Sequence, residues 1–316
     1  MSDHNPLVSV IVPNFNHAEF LQQRLDSIYN QTYQLFEVVL LDDCSTDASL
    51  EILKKYQSNE KTAQLIVNEV NSGSPFRQWQ KGLEIANGEL IWIAESDDWA
   101  EEWFLEKMVN QITSEVGLAY CRSWTYHHET NDLDSWFYAD GLDEKRWKSD
   151  FVNNGQHEVE NYLIFRNTIP NASACLFKKE LAEFLPAMLE MKYCGDWMFW
   201  ANMLAKTDLA FVSEPLNYYR HSQSTTRATK SNEQEKQRYD EYFRSIELIT
   251  SLCRYEKTLE INNYNWIIDN LYENPSLISF LFLKKPPLPI SHIDFIKYNL
   301  IRALNSTRHR LKDYFH

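Results

Sequence analysis

The run Glu89-Leu-Ile-Trp-Ile-Ala-Glu-Ser-Asp-Asp98 constrains this chain more than any other segment. An apolar stretch rich in β-formers stops at three carboxylates, Glu95, Asp97 and Asp98. Carboxylates this close repel one another, and a strand end gains nothing from that repulsion. A hard divalent cation reverses the balance, because Mg²⁺ and Mn²⁺ take oxygen ligands and are often held by one or two carboxylates plus substrate phosphates. The competing reading is a solvated acidic turn in which Asp caps a helix beginning at Trp99-Ala-Glu-Glu-Trp103.

A second strand end repeats the pattern. Val38 to Leu41 is a continuous apolar run, as in a strand buried on both faces of a parallel sheet, and Asp42 and Asp43 stand where it emerges. Ser45, Thr46 and Asp47 then supply helix-start chemistry for a helix over about 48–57. Upstream, Leu7-Val-Ser-Val-Ile-Val12 reads as a strand, Pro13-Asn-Phe-Asn16 as a turn, and 19–30 as a helix with Phe20, Leu21, Leu25 and Ile28 at helical spacing. With Leu65-Ile-Val67 as a third strand, the alternation predicts an α/β fold with a mostly parallel sheet flanked by helices. Ligands of such sheets bind outside the carboxyl ends of strands, where all these acids lie.

These pieces resemble a family 2 glycosyltransferase of the GT-A, Rossmann-like fold. The resemblance is carried by Ser9-Val-Ile-Val-Pro-Asn-Phe-Asn16, Glu37 to Asp47, Asn71-Ser-Gly73, Lys81 to Asp98 and Cys194-Gly-Asp-Trp197, and covers roughly residues 6–225. It implies transfer of a sugar with inversion from a nucleotide-sugar donor, UDP-linked or alternatively dTDP-linked, to a hydroxyl of a glycan or lipid-linked saccharide. It implies that Pro13 and Asn14 contact the nucleotide and that Asp42 and Asp43 recognise the base, Asp42 before Asp43. A carboxylate accepting from a base N–H makes physical sense of that role. Asp97 and Asp98 would serve the ribose, diphosphate and cation, Mg²⁺ or Mn²⁺, at the place of the family's D-x-D motif. Glu95 departs from the usual Asp. Asp196 would be the general base, although Gly195 stands where the family has Glu; the alternative role for Asp196 is to cap the helix over 197–204. Arg220 or Arg227 would neutralise phosphate charge and His221 would ligate the cation. Lys81 or Arg77 would reach the donor phosphates, since the family's Arg-Asn pair is not in register here.

The resemblance and the element pattern divide the chain into a transferase domain over 1–228, with a nucleotide half over 1–100 and an acceptor half over 101–228, and a helical extension over 229–316. The acceptor half is rich in aromatics, including Trp124, Tyr126, Trp136, Phe137, Tyr138, Trp147, Phe151 and Tyr162, which either face a glycan or anchor the core. Asn171 is a further candidate for the acceptor pocket. In the extension, Tyr239, Tyr242, Phe243, Ile246 and Ile249 form one helical stripe.

A net charge of −14 excludes a general nucleic-acid binder. Residues 284–316 hold seven Lys or Arg against two Asp, a net +5 that leaves −19 for the rest. Ile293, Ile296, Leu300, Ile301 and Leu304 give that segment a helical stripe, so it either touches an anionic membrane or packs on the core. No run reaches the roughly 18 apolar residues of a spanning helix, and the polar start Met1-Ser-Asp-His-Asn5 is not a signal peptide. Five scattered cysteines fit neither a zinc pattern nor a disulfide framework and suit a reducing cytoplasm. Two other classes remain open. A nucleotidyltransferase would show a Gly-rich phosphate loop, and Pro13 to His17 has no Gly. A relative that kept the fold and lost the chemistry would bind a glycan or protein partner, and the changes at Glu95 and Gly195 keep that reading in view.

Overall fold

The computed structural model describes residues 5–135, 138–169, 171–222 and 231–254. The chain forms two compact units, 1–228 and 229–316. In the first, the elements run β1 (Val8–Asn14), α1 (Ala18–Tyr29), β2 (Phe36–Asp42), α2 (Ser49–Tyr56), β3 (Thr62–Val67), α3 (Pro75–Ile85), β4 (Leu90–Ile93), β5 (Trp99–Ala100) and α4 (Phe104–Val109). They continue with β6 (Val116–His127), β7 (Asp132–Asp134), β8 (Phe151–Asn153), α5 (Gly155–Glu158), β9 (Cys175–Lys178), α6 (Pro186–Leu189), α7 (Gly195–Leu204) and β10 (Asp208–His221). The described part of the second unit is α8 (Asn232–Leu252).

One sheet carries the first unit, in the order β3-β2-β1-β4-β9-β6-β10-β5, with β7 on β6 and β8 on β10. β3, β2, β1 and β4 are mutually parallel. Beyond β4 the sheet is mixed, because β9 inserts antiparallel between β4 and β6. β1 sits at the centre of the parallel half and is buried along its whole length. Val8, Val10 and Val12 share a core cluster with Leu21, Leu25 and Ile28 of α1. Ile11 instead abuts α3, where Gly82 permits the approach: a Cβ there would lie 2.4 Å from Ile11 Cγ2. Both faces of β1 are therefore covered, which is why its sequence is apolar without alternation. Pro13 is tolerated in this central strand because the β4 ladder ends at Ile11↔Ile93.

The helix expected directly after Asp98 is absent. Trp99 and Ala100 pair antiparallel with Tyr218 and Asn217 of β10, and the Trp99 ring stacks on Tyr218 at 4.7 Å and 6°. A cross-strand aromatic pair outweighs a local capping signal here. The helix starts later, at Phe104. In the second unit, Ser231 Oγ accepts the Gln234 N–H at the start of α8, and Tyr239, Phe243, Ile246 and Ile249 are buried with Tyr242 half-buried. The basic segment from 284 and Arg227 lie outside the described residues, as do Trp136 and Phe137.

The turn after β2 holds Cys44 at φ +64°, a left-handed backbone that disfavours Cβ-branched side chains. Cys44→Val is expected to lower unfolding free energy by about 1–2 kcal/mol and Cys44→Gly to leave it unchanged or raised, read by urea denaturation. Equal stability of the two variants would contradict this reading of the turn.

Candidate active site

The turn after β4 converges with the starts of α3 and α7 on one cavity. Its lining includes Phe76, Trp79, Glu95, Asp97, Asp98, Asn171, Lys192, Tyr193, Asp196 and Tyr219. Residues far apart in sequence, the acidic turn after β4 and the acid at the start of α7, thus face one space.

The acidic turn is tightly held. Asp98 is buried, and its Oδ1 accepts the Arg220 backbone N–H at 3.0 Å. Ser173 fixes the turn from below, its Oγ accepting the Glu95 N–H at 3.1 Å while its carbonyl accepts Trp92 Nε1–H at 2.8 Å. Glu95 Oε1 accepts Trp79 Nε1–H at 2.8 Å. Burial, reinforced by the charge of Asp97, pushes the Glu95 carboxyl up to about 8 and Asp98 up to about 7.

Two arginines answer this charge from outside the cavity. Arg24, on the buried stripe of α1, is wholly inaccessible to solvent, and its guanidinium lies 4.8 Å from the Trp92 ring centre. None of its three guanidinium nitrogens has a hydrogen-bond partner. Burial lowers its pKa to about 10, opposed by Asp98, then Glu95 and Asp97. It is a buried counter-charge to the turn, and its position on an apolar helix face was the signal that sequence reading passed over.

Arg220 is the second. Its guanidinium packs over Phe20, Trp99 and Tyr126 at 4.5, 4.8 and 5.1 Å. Nε donates to the Asp97 carbonyl at 2.8 Å and Nη2 to Gln23 Oε1 at 2.6 Å; Nη1 meets His128 Nδ1 at 3.3 Å. A guanidinium so engaged anchors the turn and is not presented to a phosphate, which departs from the expected role. His221, the other candidate on this strand, is exposed, with its ring 5.5 Å from that of His127. Among the described residues no three His, Cys, Asp or Glu side chains form a metal-holding group.

A hard divalent cation still fits the turn in chemistry. Asp97 and Asp98 supply two carboxylates whose mutual repulsion a cation would relieve. That number is what Mg²⁺ or Mn²⁺ commonly takes from protein when diphosphate oxygens complete the shell. Glu95, committed to Trp79, is a neighbour of such a site.

The pair after β2 divides its work. Asp43 accepts from Asn68 Nδ2, the Ser72 N–H and hydroxyl, and Gln78 Nε2, at 2.6–3.1 Å. With those bonds its carboxylate is saturated, so it organises the loop into α3 and has no capacity for a base, against the expectation. Asp42 accepts only Asn14 Nδ2 at 3.0 Å and the Ser45 N–H at 2.9 Å, which leaves lone pairs on both oxygens. Asn14 therefore orients Asp42, and Phe15 beside it is an exposed ring, 43% accessible, that the sequence reading left out. Lys81 Nζ donates to Asn68 Oδ1 and belongs to the Asp43 network, while Arg77 Nε donates to the Leu189 carbonyl. Pro13 is buried in β1, its Cα partnered with Leu41.

Asp196 lies in the first turn of α7, one residue inside it, and Cys194 occupies the N-cap. Its Oδ1 accepts the Trp197 N–H at 2.8 Å and its Oδ2 accepts Asn167 Nδ2 at 3.0 Å. Asn171 Oδ1 accepts the Ala174 N–H at 2.9 Å, fixing the wall opposite. Three of the acceptor-half aromatics are anchors: Trp147, Phe151 and Tyr162 surround the Arg146 guanidinium, itself paired with buried Glu158 at 2.5 Å.

Comparison with known proteins bears on this site. The family model described as Glycosyl transferase family 2 matches residues 9–173, more than half of the chain. The chain belongs to glycosyl transferase family 2. Within the family it is similar to the putative teichuronic acid biosynthesis glycosyltransferase TuaG of Bacillus subtilis, 32% identical over 35% of this chain and 43% of that protein. The chain spans less than half the length of the first curated relatives it matches. Staphylococcus aureus TarS 1–349 in complex with UDP-GlcNAc has the same fold, with a TM-score of 0.63 at 19% identity over 88% of this chain and 76% of that one. The mannosyltransferase PcManGT of Pyrobaculum calidifontis, in complex with GDP-Man and Mn²⁺, matches with a TM-score of 0.54 at 17% identity over 88% and 75%. These likenesses establish the GT-A fold that the sequence resembles.

The anchoring role of Arg220 is measurable. Arg220→Met keeps the apolar packing and removes the bonds to Asp97 and Gln23, for an expected loss of about 2–3 kcal/mol in chemical unfolding. A loss below about 0.5 kcal/mol, the range of an ordinary surface change, would contradict it.

Proposed function

We propose that this protein is an inverting glycosyltransferase that moves a sugar from a UDP-sugar to a hydroxyl of a glycan or lipid-linked saccharide in cell-surface polysaccharide synthesis. The observation that carries the reading is the shared cavity, with the acidic turn Asp97-Asp98 at one end and Asp196 at the other. An in-line displacement needs leaving-group stabilisation and a proton acceptor on opposite sides of one carbon. A nucleotide-sugar donor is supported by the fold shared with TarS and PcManGT, whose complexes hold UDP-GlcNAc and GDP-Man. The polysaccharide setting is supported by TuaG, a relative named for teichuronic acid biosynthesis.

In this reading the nucleotide lies over the ends of β1 and β2, with the base edge toward Asp42 and its face toward Phe15. Asp97 and Asp98 would hold a Mg²⁺ or Mn²⁺ ion. When bound, that ion supplies Lewis-acid stabilisation of charge on the departing diphosphate. Arg24 and Arg220 hold the turn in place without touching the donor. Asp196, oriented by Asn167, takes the proton of the acceptor hydroxyl as its oxygen bonds to the anomeric carbon and the bond to the diphosphate breaks. We assign the enzyme to the cytoplasm, where its five unbridged cysteines stay reduced.

Asp196→Asn tests the assignment, since the amide keeps the shape and loses the basicity. UDP release from a panel of UDP-sugars, with water as the accepting hydroxyl, is expected to fall by about 10²–10⁴-fold with UDP affinity kept. Undiminished release by the variant would remove Asp196 from the chemistry. No release from any donor by the folded wild type would overturn the transferase reading.

A further inference from the structure

Two residues of this site look anomalous when taken singly: Glu95 in place of a shorter acid, and Gly195 directly before Asp196. Both are explained by the first turn of α3. Trp79 donates its indole N–H to Glu95 Oε1 at 2.8 Å, and the longer side chain spans that distance. Phe76 lies against Gly195, where a Cβ would stand 2.5 Å from Phe76 Cε2, so the ring occupies the space of any side chain at 195. The two rings meet edge to face at 5.1 Å and are each only 3% exposed. Trp79 also packs on Phe199 and Trp200 of α7, at 5.9 and 6.0 Å. Ser74 Oγ, donating to the Met191 carbonyl at 2.7 Å, ties the start of α3 to the loop before α7.

We infer that Phe76 and Trp79 form the wall that reads the transferred sugar. The inference rests on the reading of Asp97-Asp98 as the diphosphate end and Asp196 as the base. The anomeric carbon is bonded to the diphosphate and is attacked from the side of the base, so the sugar ring spans the interval between the two ends. Phe76 and Trp79 line that interval and touch both ends of it: Trp79 reaches Glu95, and Phe76 reaches Gly195. Pyranose rings present apolar C–H faces, which rigid aromatic edges match by shape and by exclusion of water. The wall thus selects the sugar, while Asp42 and the acidic turn bind the nucleotide.

The test is calorimetric, with Mn²⁺ present. UDP is compared with UDP-glucose, UDP-galactose, UDP-N-acetylglucosamine and UDP-N-acetylgalactosamine on wild type, Phe76→Leu, Gly195→Ala and the double variant. Wild type is expected to separate at least one UDP-sugar from UDP by about threefold or more in Kd. Phe76→Leu is expected to erase that difference with UDP affinity held within about twofold. Gly195→Ala drives the ring toward the cavity and is expected to weaken the sugar nucleotide alone. The double variant is expected to be no worse than Phe76→Leu, because the clash has lost its partner. Should Phe76→Leu fail to fold, Gly195→Ala carries the same comparison. Equal changes for UDP and the UDP-sugars, additive effects of the two substitutions, or a wild type that does not separate UDP from any of the four would overturn the wall. A folded wild type that binds no UDP would overturn the functional reading beneath it, and the wall with it.

Discussion

Charge held at the end of β4 is the constraint on which the rest of the site depends. Glu95, Asp97 and Asp98 occupy four residues of chain, two of them with carboxyls pushed up by burial and by the neighbouring charge. Left alone, such a turn would open to water or protonate. The fold keeps it from opening by surrounding it: Arg24 and Arg220 answer its charge, and Ser173 and Trp79 bond its polar atoms. Each partner comes from a different element, α1, β10, the segment before β9, and α3. The acidic turn is therefore built where four separate elements meet.

That assembly explains a division of labour among the charged groups. Arg24 and Arg220 stabilise the turn from positions closed to a donor, so the positive charge that holds the protein together is distinct from any positive charge that meets the diphosphate. Buried guanidinium groups are costly unless their surroundings answer them, and here aromatic faces and carboxylates do so. Asp43 plays a similar part on the other side of β1: saturated by Asn68, Ser72 and Gln78, it shapes the loop that delivers α3. The rings of α3 then reach both ends of the cavity.

Much of this was legible in the sequence. Strands β1, β2 and β4, helices α1 and α2, and the gathering of acids at the strands' carboxyl ends followed from apolar runs and caps, because those signals are local. The family resemblance was carried by the same segments. What could not be read was which of two adjacent identical acids keeps spare acceptor capacity. Asp42 and Asp43 differ only in donors contributed by residues up to 35 positions away. Arg220 read as a phosphate ligand because its aromatic enclosure comes from positions 20, 99 and 126, which no window joins. The helix expected at Trp99 yielded to a pairing with β10, more than a hundred residues later. Glu95 and Gly195 stood out as departures from the family pattern, and their explanation needed the side chains of α3 in place.

The proposed function turns on Asp97-Asp98 being a diphosphate site completed by a divalent cation. Calorimetric titration of UDP into the protein, with Mn²⁺ and then with chelator, for wild type and Asp97→Ala, addresses it most directly. Wild type is expected to bind at least about tenfold more tightly with Mn²⁺, and Asp97→Ala to lose this enhancement. UDP binding of equal strength with and without Mn²⁺, or an Asp97→Ala variant that responds to the ion as wild type does, would contradict it.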